Sequence, residues 1–228
     1  MPRDADRPQD RQSEALGPGQ WAKAVLYNGL GRYEEAYAAA EQDAGEPPEL
    51  GLAVRSMVEL VEAAVRSGRP FRAAETARRL DVLARASHTD WALGTTAMVR
   101  AQVSEGTVAD ALYREAIERL GRTDVKSTYA RSHLLYGEWL RRENRRADAR
   151  EHLGVSHALL SRIGAESFAE RAWHEMRAVG ATVGRPFFRT RPSPSAREAR
   201  IVRPAGEGTA GPGTGAGGAV REGTTVTA

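Results

Sequence analysis

The sequence contains no cysteine, which excludes a disulfide framework, a cysteine-ligated zinc site and a thiol nucleophile. Long hydrophobic runs are missing as well. Nothing approaches the roughly 18 consecutive apolar residues of a membrane-spanning helix, so no membrane segment and no membrane partner are expected. No stretch sustains an alternation of apolar and polar residues rich in β-branched side chains, which argues against strands. Lysine is confined to Lys23 and Lys126, so almost all of the 33 basic residues are arginine, a bias that fits a GC-rich coding sequence. The amino-terminal stretch "MPRDADRPQDRQSEALGPG" has mixed charge and no apolar core, unlike a secretory signal, and a cytoplasmic location is the expectation.

The balance of charge is uneven along the chain. Residues 21–180 carry 23 basic and 23 acidic side chains, whereas residues 181–228 carry seven arginines against three glutamates. The net charge of +3 therefore comes from the tail and says little about the body. Seven dispersed arginines among glycine and proline read as a solvated, disordered end.

The body is rich in Ala, Leu, Glu and Arg, the strong helix formers. Its helices come in pairs, and the pairs repeat. The stretches "GLGRYEEAYAAAEQ" from Gly29, "RSGRPFRAAETARRL" from Arg66, "SEGTVADALYREAIERL" from Ser104 and "RENRRADAREHLGVSHALL" from Arg142 share one pattern. In each, a turn residue is followed five positions later by alanine: Gly31 and Ala36, Gly68 and Ala73, Gly106 and Ala111, Asn144 and Ala149. Glycine and asparagine tolerate the left-handed backbone that ends a helix, and the small alanine lets the next helix pack closely. Thr89-Asp90 and Thr123-Asp124 read as helix N-caps. A period near 38 residues with two helices per unit predicts an all-α helical-hairpin solenoid of about four units, with residues 165–180 as a closing helix. The expected organisation is a disordered segment 1–20, helical repeats over 21–180, a linker over 181–208 and a Gly-rich disordered tail over 209–228.

Chemical motifs are scarce. There is no P-loop, and the glycines of the tail follow no strand and open no helix. His88, His133, His152, His157 and His174 form no H-x-x-x-H pattern, which speaks against a zincin-like site. No nucleophile elbow supports a Ser/His/Asp arrangement. An enzyme is not expected, nor a metal or cofactor. Trp21, Trp91, Trp139 and Trp173 read as packing between helices, and "RRENRR", 141–146, as a solvated corner. The surface left for function is the concave face of a solenoid, where Arg66, Arg100, His133 and Tyr136 are candidate contacts for a protein or small effector.

The repeats resemble the tetratricopeptide type: Tyr27, Gly31, Tyr33 and Ala36 in the first unit, and Gly137, Ala149 and Leu153 in the fourth, fall where that family places its signature residues. Taken together, "LVEAAVRSGRP", "TDWALG", "ALYREAIERLGRT" and "ARSHLLYGEWLRRENRRADAREHL" resemble the C-terminal helical-repeat region of large LuxR-family, MalT-like transcriptional regulators of actinobacteria. The resemblance covers residues 21–180 and is closest over 111–153. It implies a signal-sensing or protein-interaction module, flanked in the family by an ATPase and by a helix-turn-helix that binds promoter DNA. Residues 1–20 are too short for the ATPase, so a C-terminal fragment or a short remnant is expected. Residues 194–208 resemble the start of the helix-turn-helix, with Ser195, Glu198, Ile201, Ala205 and Gly208 aligned. Pro194 and Pro204 replace leucines there, and "TAGPGTGAGG" stands where the recognition helix belongs. Such a chain is expected to lack specific DNA binding, the tail being what a shift of reading frame near codons 203–210 would produce. The alternative is a stand-alone helical-repeat adaptor for protein partners.

Overall fold

Each unit pairs two helices joined by a short turn. The computed structural model describes residues 17–44 and 50–180, and these are helical throughout apart from turns. Nine helices follow one another among the described residues: α1 (Gly17–Gly29), α2 (Tyr33–Ala44), α3 (Leu50–Arg66), α4 (Pro70–Ser87), α5 (Asp90–Gln102), α6 (Gly106–Gly121), α7 (Lys126–Arg142), α8 (Arg146–Ile163) and α9 (Glu166–Ala178). None of them is long and apolar enough to cross a membrane. Consecutive helices pack as hairpins, so the expected all-α repeat of helix pairs is what the chain forms.

The turns behave as their residues dictate. Gly31, Gly68 and Asn144 have φ of 71°, 76° and 61°. In each case the following amide reaches back to a carbonyl five residues earlier, as in Arg32 N to Tyr27 O at 2.8 Å and Arg145 N to Leu140 O at 2.9 Å. That pairing satisfies the last carbonyls of the first helix and redirects the chain.

The third turn departs from this pattern. Gly106, φ 56°, is itself the first residue of α6, and the turn before it lacks the five-residue bond. The alanine register slips accordingly. Ala36, Ala73 and Ala149 are fully buried, but Ala111 is exposed and Ala109 takes the buried place. All four buried alanines are the fourth residue of their helix, so the structural rule counts from the helix start and not from the glycine. Thr89 caps α5, its hydroxyl accepting from Ala92 N at 3.2 Å. Thr123 does otherwise: its hydroxyl donates backward to Leu120 O at 2.8 Å, and Val125 occupies the cap position of α7.

Two layers result. The odd-numbered helices touch each other in sequence, α1 to α3, α3 to α5, α5 to α7 and α7 to α9, while the even-numbered helices pack outside them. Residues 56–64 of α3 and 132–140 of α7 are buried on every side, the polar Ser56, Glu59, Glu62, Ser132, His133 and Glu138 included. The layers approach most closely at glycine. A β-carbon on Gly137 of α7 would stand 2.6 Å from Leu153 Cγ of α8, and one on Gly94 would stand 2.9 Å from Leu120 Cγ.

The odd helices also close on themselves. α9 packs against α1, where a β-carbon on Gly29 would stand 3.0 Å from Ser167 Cβ and 3.1 Å from the Phe168 ring. The five inner helices thus make a circuit. The expected segments 181–208 and 209–228, and most of 1–20, lie outside the described residues, although helix α1 already begins at Gly17.

Candidate functional site

Three glutamates sit inside that circuit, in helices whose other residues there are mostly apolar. Glu59, Glu62 and Glu138 are 3%, 1% and 2% exposed. Ionised carboxylates persist at such burial only when paired and hydrogen-bonded. The pairing comes from helices far apart in sequence. Arg131 of α7 grips Glu59 through both terminal nitrogens, at 2.6 and 3.0 Å, and reaches Glu62 at 2.6 Å. Arg171 of α9 donates to Glu62 at 2.5 Å, to both oxygens of Glu138 at 2.6 and 2.8 Å, and to the carbonyl of Asn28 at 3.1 Å. Arg66 completes the set on Glu138. Asn28 of α1 adds its amide to Glu59, at 2.9 Å to the carboxylate and 3.1 Å to the backbone.

Three anions therefore meet three cations, and α1, α3, α7 and α9 are tied at one place. Burial works against ionising Glu62, but Arg171 and Arg131 more than offset it and hold the carboxyl down at about 2. Aromatic rings cover the guanidiniums: Phe168 lies 4.6 Å from that of Arg131, and Tyr33 lies 5.7 Å from that of Arg171. Two buried polar atoms of this cluster, Arg131 Nε and Asn28 Oδ1, have no hydrogen-bond partner.

Next to the ion cluster lies a cavity of about 520 Å³, at the end where the inner helices begin. All five contribute: Trp21 and Val25 from α1, Arg55, Val58 and Glu59 from α3, Trp91, Thr95 and Met98 from α5, Ser127, Thr128 and Arg131 from α7, and Phe168 from α9. Its wall is mostly carbon, with the Glu59–Arg131 pair among its few polar groups. Arg55 is exposed, makes no ion pair among the described residues, and stands 5.5 Å from the Trp21 ring. Thr95 is 5% exposed, and its hydroxyl has no partner. A concave, largely apolar space with a few polar groups is the usual form of a small-molecule site.

The four residues read as groove contacts are dispersed. Arg66 joins the ion cluster on Glu138. Arg100 points outward to Asp81 of α4, at 3.2 Å. Tyr136 is 2% exposed, stacked 5.2 Å from Tyr113, and donates its hydroxyl to Asp110 at 2.7 Å. His133 is buried too, its Nδ1 lying 2.9 Å from Nδ1 of His152, with Tyr129 edge-on at 4.8 Å. Tyr136 and His133 thus face α6 and α8, because the inner helix is covered on that side by the outer layer. They are packing residues, not open contacts. Ser195, Glu198, Ile201, Ala205 and Gly208 lie outside the described residues.

In the largely exposed corner "RRENRR" two of the four arginines are paired. Arg141 meets Glu175 at 2.5 Å, and Arg145 meets Asp110 at 2.5 Å and Asp148 at 2.7 Å. Of the tryptophans, Trp139 packs beside Tyr113 and Tyr136, whereas Trp21 and Trp91 stand on the cavity wall. Sequence reasoning missed both the cavity and the ion cluster. The available signal was acid inside apolar helices, in "MVELVEAAVR" and "HLLYGEWL". No group of three or more metal-ligating side chains forms among the described residues. No protein-family model matches the chain, and no curated protein or solved structure is significantly similar to it.

Proposed function

We propose that the helical body is the signal-sensing and interaction module of a LuxR-family transcriptional regulator, and that this chain lacks sequence-specific DNA binding. The observation that supports sensing is that one cavity is lined by all five inner helices, α9 included. A ligand there contacts the first and the last inner helix together, and it biases the seating of α9 by whatever affinity it gains from the closed arrangement. α9 precedes residues 194–208, where the sequence resembles the start of a DNA-binding domain. Promoter DNA is the partner this reading gives the family, not this chain.

Sequencing the coding DNA through codon 228 and reading all three frames tests the proposal. A recognition helix continuing in another frame supports it, and its absence from every frame counts against it. DNA selection with the purified chain at 150 mM salt adds a second check (about a physiological ionic strength). The expected result is weak retention that salt removes, with no enriched motif. An enriched motif overturns the claim about DNA.

One observation favours the adaptor reading instead: Phe71, on outer helix α4, is 79% exposed. A partner captured by the wild-type chain and lost with Phe71→Ser would support it.

A further inference from the structure

We infer that the cavity binds a small organic acid with a flat apolar body. The inference rests on the sensing reading above and names its ligand class. Size comes first: about 520 Å³ lies within the range of sites that enclose most of a small ligand. The wall supplies the body's contacts, since Trp21, Trp91 and Phe168 offer ring surfaces and Met98 is adaptable.

The charge of the head follows from the polar groups. Glu59 is the one carboxylate on the described wall, and both its oxygens already accept hydrogen bonds from Arg131 and Asn28. What remains is cationic or donating. Arg55 has no acidic partner among the described residues. Ser127 and Thr128 sit in the first turn of α7, whose cap residue Val125 offers no side-chain oxygen to the free amides there. A helix start with unmet amides favours an anion.

Thr95 is the independent mark of a ligand. A threonine in a helix ordinarily bonds its hydroxyl to a carbonyl one turn back, as Thr76 does with Arg72 at 2.9 Å. Thr95 does not: its buried hydroxyl is unpaired, and the residue is one of those that line the cavity. A group left unsatisfied at burial is costly, and a ligand that supplies the partner recovers that cost. A neutral sugar fits less well, because its many hydroxyls would face carbon.

The experiment is calorimetric titration of the full chain with 5-phenylvalerate, with 5-phenylpentan-1-ol and with glucose. The acid should bind, with the alcohol at least tenfold weaker and glucose silent. Arg55→Gln should weaken the acid about tenfold, and Thr95→Val about threefold without lowering the melting temperature, whereas Arg85→Gln, outside the cavity, should leave binding unchanged. Equal binding of acid and alcohol, binding of glucose, or an affinity indifferent to both cavity variants overturns the ligand class. No heat with any probe overturns it too. Hydrogen exchange separates this outcome from the reading beneath it. If the acid binds as described but does not slow exchange in α9, the ligand class stands and the sensing reading falls.

Discussion

Replacing Arg171 by methionine removes four hydrogen bonds, three of them to carboxylates, from a place where water does not replace them. Glu138 would keep Arg66, and Glu62 would keep Arg131, so the cluster would hold three anions against two cations. Breaking a buried pair by removing one partner costs about 3–5 kcal/mol, mainly because an uncompensated charge is left behind. At a urea slope of about 2 kcal/mol per molar, the unfolding midpoint should fall by about 2 M, followed by circular dichroism at 222 nm and pH 7. Restoring the balance should restore much of the loss. Arg171→Met combined with Glu138→Gln leaves two anions and two cations, and the pair should show a coupling of about 2 kcal/mol.

The pH dependence has a fixed sign. In the single variant the surplus negative charge of the cluster raises a carboxylate's folded pKa above the unfolded value of about 4.3, so protonation relieves the penalty and the gap to wild type narrows as pH falls below 6. Wild-type Glu62, held at about 2, goes the other way: its contribution is present above the unfolded pKa and is lost toward pH 2. A cost under about 1 kcal/mol, or a double variant as unstable as the two losses summed, would refute the reasoning.

Two further outcomes follow from the packing of α7. Gly137→Ala should destabilise by about 1–3 kcal/mol, against the gain of about 1 kcal/mol that alanine brings to an open helix, since the added carbon meets Leu153. A neutral or higher midpoint in urea would show that the two helices part easily. His133 has its pKa pushed down to about 4 by burial and by His152; Tyr129 packs edge-on to it and Tyr136 packs on His152, on which Glu151, Asp148, Arg114 and Arg145 also act. Stability should therefore be complete above pH 6.5 and fall by about 1.4 kcal/mol per unit toward pH 4, and His133→Phe should flatten that slope in melts at pH 7.5, 5.5 and 4.5.

The helix pairs could be read from the sequence because their punctuation is local. A left-handed residue such as Gly68 or Asn144 shows itself in one letter, and the buried alanine follows at a short interval. The slip at Ala111 was invisible for the same reason: the spacing from Gly106 looks intact, and only the missing backward bond displaces the helix start. The ion cluster could not be assembled from the chain. Arg131 and Glu59 are 72 positions apart, and Arg171 and Glu62 are 109 apart. Any one of these charges, taken alone, reads as a solvated helix face. The concave groove failed in a related way. Arg66, Arg100, His133 and Tyr136 all lie on inner helices, but Arg66 is taken up by the ion pairs inside the circuit and His133 and Tyr136 are covered by the outer layer.

That closing contact also changes how the body comes to be folded. An open stack of repeats can form from any point, and its end units fray first. Here the carbonyl of Asn28 waits for a guanidinium 143 residues later. Among the described helices α1 is the last to find all its neighbours, and such distant pairing slows folding. In return neither end of the described row of inner helices lacks a neighbour, since α9 packs against α1. Shortening the body by one hairpin would leave two raw faces where an open stack would show one, and the remaining units should lose their ordered state together.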